Sequence, residues 1–548
     1  MFTGLIFHTP GTLDACPLDG RMYLRLRAEK GLVAEAWMTY VCDKNLWFNA
    51  RRKARLTLDI SDSELDYFSV SVPMDDTRFA YIFELTDREG KLFYLSEEGL
   101  SETYEHDLGY FSFFQYTSQF PCDLMRVPEW VKTAVGYQIF PERFDIGNAG
   151  ANKSYVNAKW GAKPTPRSFY GGDLDGVTKR LDYVKSLGVS FIYLTPVFKS
   201  ISNHKYDIMD YENVDPAFGG NEALKRLIEA AHDRGMRIIL DGVFNHTSNR
   251  HPFFVDAIKN GKKSKYFDWY FINPDGTYRT FGSVPYMPKL NTGNPEVISY
   301  FSSVCRNWMR DYGVDGWRLD VSDEISRRFL RRFREEIMAE REDAIIIGED
   351  WHVAAHYLNG DEYDGTMNYG FTKACLDLFA FGTIDSKKFV DRLIRLYYSR
   401  SVAASEKMLN LLDSHDTDRF LTRVKGDARK QRAAIALMFF YPGIPCVYYG
   451  DEIGTEGGYD PDSRRTFDWN EDNWDKKTLE CVKTLAALKK DPALSRGGFN
   501  LTESGGLVSI TRTADGRSLK LTVNATGEAN AGLGPWEYRI EDNRRNTK

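Results

Sequence analysis

Acidic residues follow four apolar segments of the sequence, at the points where each segment could end as a strand. The strings are "IILDGVFNH" (238–246), "GWRLDVSDE" (316–324), "IIIGEDW" (345–351) and "LLDSHD" (411–416). In a parallel barrel the carboxyl ends of the strands share one face, which is where active sites form. Each acid alone could cap the next helix, and each histidine could be a structural group. Four such segments together indicate a catalytic pocket.

The chemistry that these residue types suit is glycoside hydrolysis. One carboxylate attacks the anomeric carbon and a protonated one donates to the leaving oxygen, and the sequence carries no metal motif, phosphate loop or nucleotide fingerprint. Arg318 and Asp320 lie two positions apart, so a strand would point both to one side. We expect Arg318 to keep Asp320 ionised, although a structural ion pair has the same pattern. Glu349 has no adjacent cation in the sequence and could stay protonated.

The segments that must position these groups alternate between apolar strands and amphipathic helices. Eight predicted strands are "AVGYQIF", "VSFIYLTPVF", "MRIILDGVF", "VDGWRLDV", "AIIIGED", "GTMNYG", "MLNLLDS" and "IPCVYYG". This order predicts an α/β fold, a (β/α)8 barrel. We place the catalytic barrel at residues 126–494, with a small inserted subdomain at 247–300 after the third strand.

The two ends of the chain are predicted to form separate β-domains. Residues 1–125 contain short alternating runs, such as "RMYLRLRAE" and "FAYIFELTD", separated by turn signals. This pattern of short alternating strands and turns is typical of an antiparallel β-sandwich. Residues 495–548, with "LVSITRT" and "SLKLTVNAT", predict a short C-terminal β-domain.

Composition excludes several classes of function. The 548 residues include 27% charged residues with a net charge of −6, so no basic surface for nucleic acid is expected. The seven cysteines form no CxxC pair, which argues against a zinc site and a disulfide framework. We expect no membrane span, because no run of about 18 apolar residues occurs, and no signal peptide. These features predict a cytoplasmic protein.

The motifs together resemble those of the α-amylase family of glycoside hydrolases. The four strings at the strand ends occur with "FYGGDLDGV" (169–177), "SNHKYDIMDY" (202–211), "DPAFG" (215–219) and "GIPCVYYGDEIG" (443–454). The resemblance implies a retaining mechanism with Asp320 as nucleophile, Glu349 as general acid/base and Asp416 as transition-state stabiliser. It also implies a further set of sugar-binding side chains. These are Tyr206, Asp241, His246, Arg318 and His415.

Other strings resemble one subgroup, that of the neopullulanases, cyclomaltodextrinases and maltogenic amylases. They are "MPKLN" (287–291) and "GGYDPDSRR" (457–465), in which Asp460 and Arg464 would contact the neighbouring donor-side sugar. Glu324 and Trp351 would line the acceptor side. "VSDE" departs from the usual VANE and "GEDW" from the usual GEIW, which leaves the preference for α-1,4 over α-1,6 bonds open. The resemblance implies an α-glucan substrate: cyclodextrins, maltooligosaccharides, pullulan or starch.

Two other functions remain open for this scaffold. A transglycosylase would pass the glycosyl group to a sugar in place of water, and a non-catalytic carbohydrate-binding protein would lack one of the acids. The three acids implied to be catalytic are all present in the chain.

The same resemblance implies two accessory features. No cofactor is expected for the chemistry, but a structural calcium ion could be bound by Asp145, Asn148, Asn152 and Asp173; the alternative is a solvated turn. A homodimer is also expected, with the N-terminal sandwich narrowing the partner's cleft; the alternative is an independent starch-binding module. Trp37, Trp47 and Phe48 could line that wall or fill the sandwich core.

Overall fold

The N-terminal region folds into two facing antiparallel sheets. The computed structural model describes residues 4–11, 13–42, 51–76, 78–104, 112–116, 120, 124–147 and 153–544. Between residues 4 and 116 the strands are β1 (Ile6–Phe7), β2 (Ala15–Leu18), β3 (Arg21–Glu29), β4 (Val33–Val41), β5 (Arg52–Arg55), β6 (Thr57–Ser61), β7 (Leu65–Pro73), β8 (Phe79–Asp87), β9 (Leu92–Ser96), β10 (Gly99–Ser101) and β11 (Phe114–Tyr116). One sheet has the order β1-β3-β7-β6 with β2 on β3, and the other has β10-β9-β8-β4-β5 with β11 on β8.

A shared apolar core holds these two sheets together. Met22, Leu24 and Leu26 of β3 are fully buried against Phe83 and Leu85 of β8 within one hydrophobic cluster. Trp37 of β4 is half-buried, while Trp47 and Phe48 lie outside the described residues. The predicted N-terminal sandwich is therefore present.

The central region contains the barrel strands and one short hairpin. In chain order they are β12 (Gly136–Ile139), β13 (Phe191–Leu194), β14 (Phe198–Ser200), β15 (Ile208–Val214), β16 (Arg237–Gly242), β17 (Gly316–Leu319), β18 (Ile345–Gly348), β19 (Gly365–Thr366), β20 (Leu409–Asn410) and β21 (Ile444–Tyr448). In the described part of the chain, eight of them form a parallel sheet of order β19-β18-β17-β16-β13-β12-β21-β20.

The two ends of this sheet meet and close the barrel. A parallel bridge joins Met367, just after β19, to Leu409 of β20. The backbone N–H of Asn368 donates to the carbonyl of Leu409 at 2.8 Å, and the Asn368 side-chain amide donates to Asn410 Oδ1 at 2.7 Å. The predicted (β/α)8 barrel is confirmed, and amide side chains reinforce its seam.

Helices surround the barrel and follow its strands. They are α1 (Glu129–Lys132), α2 (Pro141–Phe144), α3 (Leu174–Lys179), α4 (Leu181–Ser186), α5 (Gly220–Asp233), α6 (Pro252–Asn260), α7 (Pro295–Tyr312), α8 (Arg327–Glu340), α9 (Tyr369–Cys375), α10 (Ser386–Tyr398), α11 (Val402–Lys407), α12 (Phe420–Arg423), α13 (Ala428–Phe440), α14 (Lys476–Leu488) and α15 (Pro492–Arg496). None of the helices in the described residues is long and apolar enough to cross a bilayer.

Helix α7 shows how local sequence sets these boundaries. Asn294 caps its first turn by accepting the N–H of Glu296, and Pro295 fits the first helical position because it needs no N–H partner there. Gly313 ends the helix with φ of 84°. The inserted segment after β16 therefore passes into a barrel helix at Pro295, and the predicted end of the insertion at residue 300 falls inside α7.

A small antiparallel sheet ends the described chain. Its strands are β22 (Gly498–Ser504), β23 (Leu507–Ala514), β24 (Arg517–Asn524) and β25 (Tyr538–Arg544), paired in that order. Helix α13 is buried on most of its faces, and Arg512 of β23 donates to the carbonyl of Phe440 at its end. The sheet therefore packs on the outer side of the barrel, away from the acidic strand ends.

Candidate active site

The acidic residues lie where the sequence places them, at the carboxyl ends of neighbouring barrel strands. Asp241 is the penultimate residue of β16, Asp320 directly follows β17, and Glu349 directly follows β18. Asp416 lies six residues beyond the end of β20 at Asn410. Parallel strands that are adjacent in the sheet bring these carboxylates to one face.

Arg318, at the centre of this face, contacts three carboxylates at once. Its Nη1 lies 3.0 Å from Asp241 Oδ2 and 2.9 Å from Asp320 Oδ1. Its Nη2 lies 2.9 Å from Glu349 Oε1. Glu349 has no adjacent cation in the sequence, but the fold supplies the same guanidinium from the neighbouring strand.

The ionisation of the acids follows from burial and mutual repulsion. Burial raises the pKa of Asp320, and the charge of Glu349 raises it further, against the opposing effect of Arg318. Burial likewise raises the pKa of Glu349. Arg318 does lower the pKa of Asp320, but desolvation outweighs the guanidinium, so the expectation that Arg318 keeps Asp320 ionised is wrong in net effect. Two close carboxyl groups of this kind share a proton readily.

Asp416 has a different environment and stays ionised. Burial works to raise its pKa, but His415, Arg464 and Arg318 lower it below its ordinary value in sum. Arg464 Nη2 lies 3.1 Å from Asp416 Oδ1, and its Nη1 lies 3.0 Å from Asp460 Oδ1. The site thus contains a carboxyl pair that retains a proton beside a carboxylate that does not.

A stacked pair of rings forms the floor of the site. The rings of Tyr206 and His415 are 5.4 Å apart and nearly parallel, at 3°. The Tyr206 hydroxyl donates to Asp241 Oδ2 at 3.0 Å and lies 2.5 Å from His415 Nε2. Burial lowers the pKa of His415 and of His246 to about 3. Both imidazoles are therefore neutral near pH 7. His246 lines the cavity and can hydrogen-bond sugar hydroxyls without adding charge, whereas the ring nitrogens of His415 face Gln138 and Tyr206.

The opposite side of the cleft carries an aromatic wall and a bridging lysine. The Trp351 ring stacks on Tyr369 at 3.9 Å and 3°, yet 49% of Trp351 remains exposed. Lys289 pairs with Glu324 and also donates to Asn245 Oδ1 at 2.6 Å. Lys289 belongs to the "MPKLN" string, but its contact with Glu324 could not be read from the sequence.

These side chains enclose a cavity of about 810 Å³. Nine predicted site residues line it, namely Tyr206, His246, Asp320, Glu324, Glu349, Trp351, Asp416, Asp460 and Arg464. The other three predicted residues of the cleft, Asp241, Arg318 and His415, are buried beneath and contact the lining residues. The structure therefore brings all twelve together.

Some lining residues were not predicted. They include His204, Phe281, Phe381 and Tyr459. His204 lies in the string "SNHKYDIMDY", two positions before Tyr206, so the motif itself could have indicated that His204 lines the site. Phe381 ends a π-helical turn at Leu376–Phe381 and had no signal in the sequence.

The carboxylates predicted to bind calcium already face cations. Asp145 Oδ2 lies 3.0 Å from Lys179 Nζ and 2.5 Å from Arg180 Nε. Asp173 Oδ1 accepts the N–H groups of Gly147 and Gly176, and its Oδ2 lies 2.5 Å from Lys153 Nζ. Asn148 and Asn152 lie outside the described residues, and the residues that are described contain no metal-binding group of three His, Cys, Asp or Glu. The described part of this site does not fit a calcium ion.

Comparisons with known proteins agree with this geometry. Residues 138–509 match the family model "Alpha amylase, catalytic domain", and residues 1–117 match "Alpha amylase, N-terminal ig-like domain". The chain is 40% identical over 508 residues to a cyclomaltodextrinase of Bacillus sp, covering 91% of this chain and 90% of that one. It is 39% identical over 532 residues to the intracellular maltogenic amylase of Bacillus subtilis, covering 94% and 90%. A solved structure of a cyclomaltodextrinase superposes with a TM-score of 0.88 at 38% identity, covering 95% and 91%.

Proposed function

The chain belongs to the α-amylase family of glycoside hydrolases, and from this premise we propose that it cleaves the α-1,4 bonds of short and cyclic glucans with retention of configuration. The observation that carries the proposal is the contact of Asp320 and Glu349 with one guanidinium, each at 2.9 Å. This shared contact holds the two carboxyl groups at one side of the cleft, as a retaining enzyme needs in order to place them about 5–5.5 Å apart, and the match to the α-amylase catalytic domain supports retention.

In this proposal Glu349 transfers the protons and Asp320 forms the bond to the sugar. Glu349 donates its proton to the glycosidic oxygen while Asp320 attacks the anomeric carbon, which breaks the bond and forms a glycosyl-enzyme. Glu349, now ionised, takes a proton from water as the water attacks that carbon and releases Asp320. Asp416 stays ionised throughout and stabilises the positive charge that develops on the sugar ring.

The remaining residues of the site hold the sugar. Tyr206 offers its ring face to the cleaved unit, and the neutral imidazole of His246, which lines the cleft, binds its hydroxyls. His415 acts from beneath by positioning Tyr206 and Asp416. Arg318 lies beneath the sugar and holds Asp320 and Glu349 in position, and Asp241 in turn holds Arg318. Asp460 and Arg464 contact the next donor-side sugar, and Trp351 and Glu324 contact the acceptor side.

The catalytic assignment is tested by Asp320→Asn and Glu349→Gln. Each should reduce turnover on maltotriose by about 10³-fold or more with an unchanged melting temperature, because the attacking charge or the proton donor is lost. NMR should show the α anomer as the first product. Near-normal turnover of Asp320→Asn, or an initial β anomer, would contradict the mechanism.

For the substrate, we propose a preference for cyclodextrins and short maltooligosaccharides over starch. The similarity to a protein named cyclomaltodextrinase supports it. The rate on cyclodextrin should be higher than the rates on pullulan and on starch. The products formed from pullulan will show whether α-1,6 bonds are cleaved. Products longer than maltotriose, formed from maltotriose, would indicate transfer to sugar in place of hydrolysis.

We further propose that the enzyme works as a homodimer inside the cell. Exposed apolar side chains of the N-terminal domain, including Leu5, Phe7 and Leu58, support an interface. The name of the intracellular relative supports the location. Sedimentation should give a dimer at micromolar concentration, and dilution to monomer should abolish the preference for cyclodextrin. A monomer that retains this preference would contradict the dimer proposal, and activity in the medium instead of the cell lysate would contradict the location.

A further inference from the structure

One lysine side chain on the loop before α3 has the contacts expected of a bound metal ion. Lys153 Nζ lies 2.5 Å from the carbonyl oxygen of Gly171 and 2.5 Å from Asp173 Oδ2. The Lys153 side chain is 15% exposed and that of Asp173 is 4% exposed. A charge so well enclosed between a carbonyl and a carboxylate oxygen is held more firmly than a surface ion pair.

The oxygens that face this ammonium are fixed by the rest of the fold. Gly171 has φ of +86°, a conformation that favours glycine, and an added Cβ would lie 2.8 Å from Val156 Cγ2. Its N–H donates to Glu142 Oε1 at 2.8 Å. Asp173 caps α3 by accepting the N–H of Gly176 at 2.7 Å. The Gly171 carbonyl oxygen and Asp173 Oδ2 are therefore preorganised to bind a cation.

The charge count in the described part of the loop opposes a divalent ion. Asp145 and Asp173 supply two negative charges, whereas Lys153, Lys179 and Arg180 supply three positive charges within 3.0 Å of them. Calcium prefers six to eight oxygen ligands with several carboxylates among them. A calcium ion between Gly171 and Asp173 would have to displace the lysine.

We propose that the ammonium of Lys153 takes the place of a structural metal ion, so that the protein is stable without calcium. The lysine joins the loop to the segment at residues 168–173, whose Ser168 carbonyl accepts from Asn203 at 2.9 Å. Asn203 directly precedes His204, which lines the cleft. The tether therefore supports one wall of the active site, and it does not depend on the catalytic roles proposed above.

Thermal unfolding with and without metal tests this inference on the whole chain. For the native protein, neither EDTA nor millimolar CaCl₂ should shift the melting temperature, and calorimetric titration with CaCl₂ should give no heat of binding. Lys153→Met keeps the aliphatic stem but removes the charge. It should lower the melting temperature by about 3–4 °C, and CaCl₂ should restore part of the loss.

The matched control is Lys159→Met, which makes the same change at an exposed lysine of the same loop. It should leave the melting temperature and the calcium response unchanged. If Lys153→Met does not fold, Lys153→Arg keeps a cation and should remain insensitive to EDTA. A native protein that binds calcium and is stabilised by it overturns the inference. So does a Lys153→Met protein that melts like the native one or does not respond to calcium.

Discussion

Arg318 is the residue on which the geometry of the site depends most. Its planar guanidinium group contacts Asp241, Asp320 and Glu349, and only 1% of its side chain is exposed. A buried guanidinium in this position both offsets the repulsion between the acids and fixes their spacing. A compact ammonium cannot reach three carboxylates on two sides at once.

We therefore expect Arg318→Lys to lower kcat by about 100-fold or more, the equivalent of ~3 kcal/mol of lost positioning. Steady-state kinetics on maltotriose measure this, and a melting curve shows that the fold is retained. Arg310→Lys is the control, because Arg310 is an exposed arginine paired with Asp311. Full activity of Arg318→Lys would mean that a point charge is enough.

The raised pKa of Glu349 predicts the pH dependence of the reaction. In the proposed mechanism the protonated form of Glu349 is the active one, so kcat/KM should fall as the pH rises through the pKa of Glu349. Because burial and the nearby Asp416 raise that pKa above the ordinary 4.5, the alkaline limb should lie above pH 4.5. A pH profile on maltotriose measures it; a limb at or below the ordinary glutamate value would contradict the prediction.

The sequence predicted the identities of these residues better than their interactions. The four strand-end strings contain nine of the twelve cleft residues, because a parallel barrel brings such ends together, whereas Tyr206, Asp460 and Arg464 were located by the resemblance to the family. The contacts of Arg318 with Glu349 and of Lys289 with Glu324 could not be predicted. They join residues 31 and 35 positions apart (349 − 318 and 324 − 289), across strands and loops whose spacing no local pattern sets.

At the scale of elements, the turn after β17 stores strain beside the acids. Val321 has φ of 45° and ψ of 48°, which is unfavourable for a β-branched residue. This turn directs the Val321 N–H to Glu349 Oε2 at 2.9 Å. The strained backbone therefore places a donor on Glu349, the general acid of the proposed mechanism.

Val321→Gly should leave stability within about 1 kcal/mol, because relief of roughly 1–2 kcal/mol of left-handed strain offsets the entropy lost by glycine. It should lower kcat by up to about 10-fold, since the donor is held less rigidly. Melting and steady-state kinetics measure the two effects. Ala531→Gly, at another left-handed residue with φ of 49°, should not change kcat. An unchanged kcat in Val321→Gly would show that the strain has no catalytic role.

Strand lengths were less predictable than strand order. The strings "GTMNYG" and "MLNLLDS" predicted strands of ordinary length, but β19 and β20 each contain two residues. Apolar residues beyond these strands are buried for another reason: Tyr369 begins α9, and Leu411 and Leu412 lie in the loop that leads to the site. Burial without pairing looks the same in the sequence as a buried strand.

At the scale of the whole molecule, Asp62 connects the N-terminal domain to the barrel. Its Oδ2 accepts from Arg395 of α10 at 2.8 Å and from Tyr67 at 2.9 Å. Burial works to raise the pKa of Asp62, but these donors and the N–H groups of Glu64 and Leu65 lower it in sum. The ionised carboxylate thus stabilises the domain junction.

Asp62→Asn should destabilise the protein by about 1–3 kcal/mol near pH 7, because it leaves buried donors unmatched. A group with a depressed folded pKa contributes stability above its unfolded pKa and loses it as the pH falls through the folded value. The difference in melting temperature from the native protein should therefore shrink in acid. Glu64→Gln is the control, since Glu64 also pairs with Arg395 but is exposed. An equal effect of both variants would contradict a specific role for Asp62.

The seam between β19 and β20 has a consequence for the motions of the protein. The strands there are short, and the side chains of Asn368 and Asn410 carry part of the closure, so we expect few protected backbone amides. Amide hydrogen exchange should therefore proceed through smaller openings at residues 366–369 and 409–411 than at the longer β16–β17 ladder. The chain from β20 leads directly to His415 and Asp416. Local opening at the seam would move Asp416, the transition-state stabiliser of the proposed mechanism, relative to Asp320 and Glu349. A bound glucan should slow exchange there by holding both sides of the seam together.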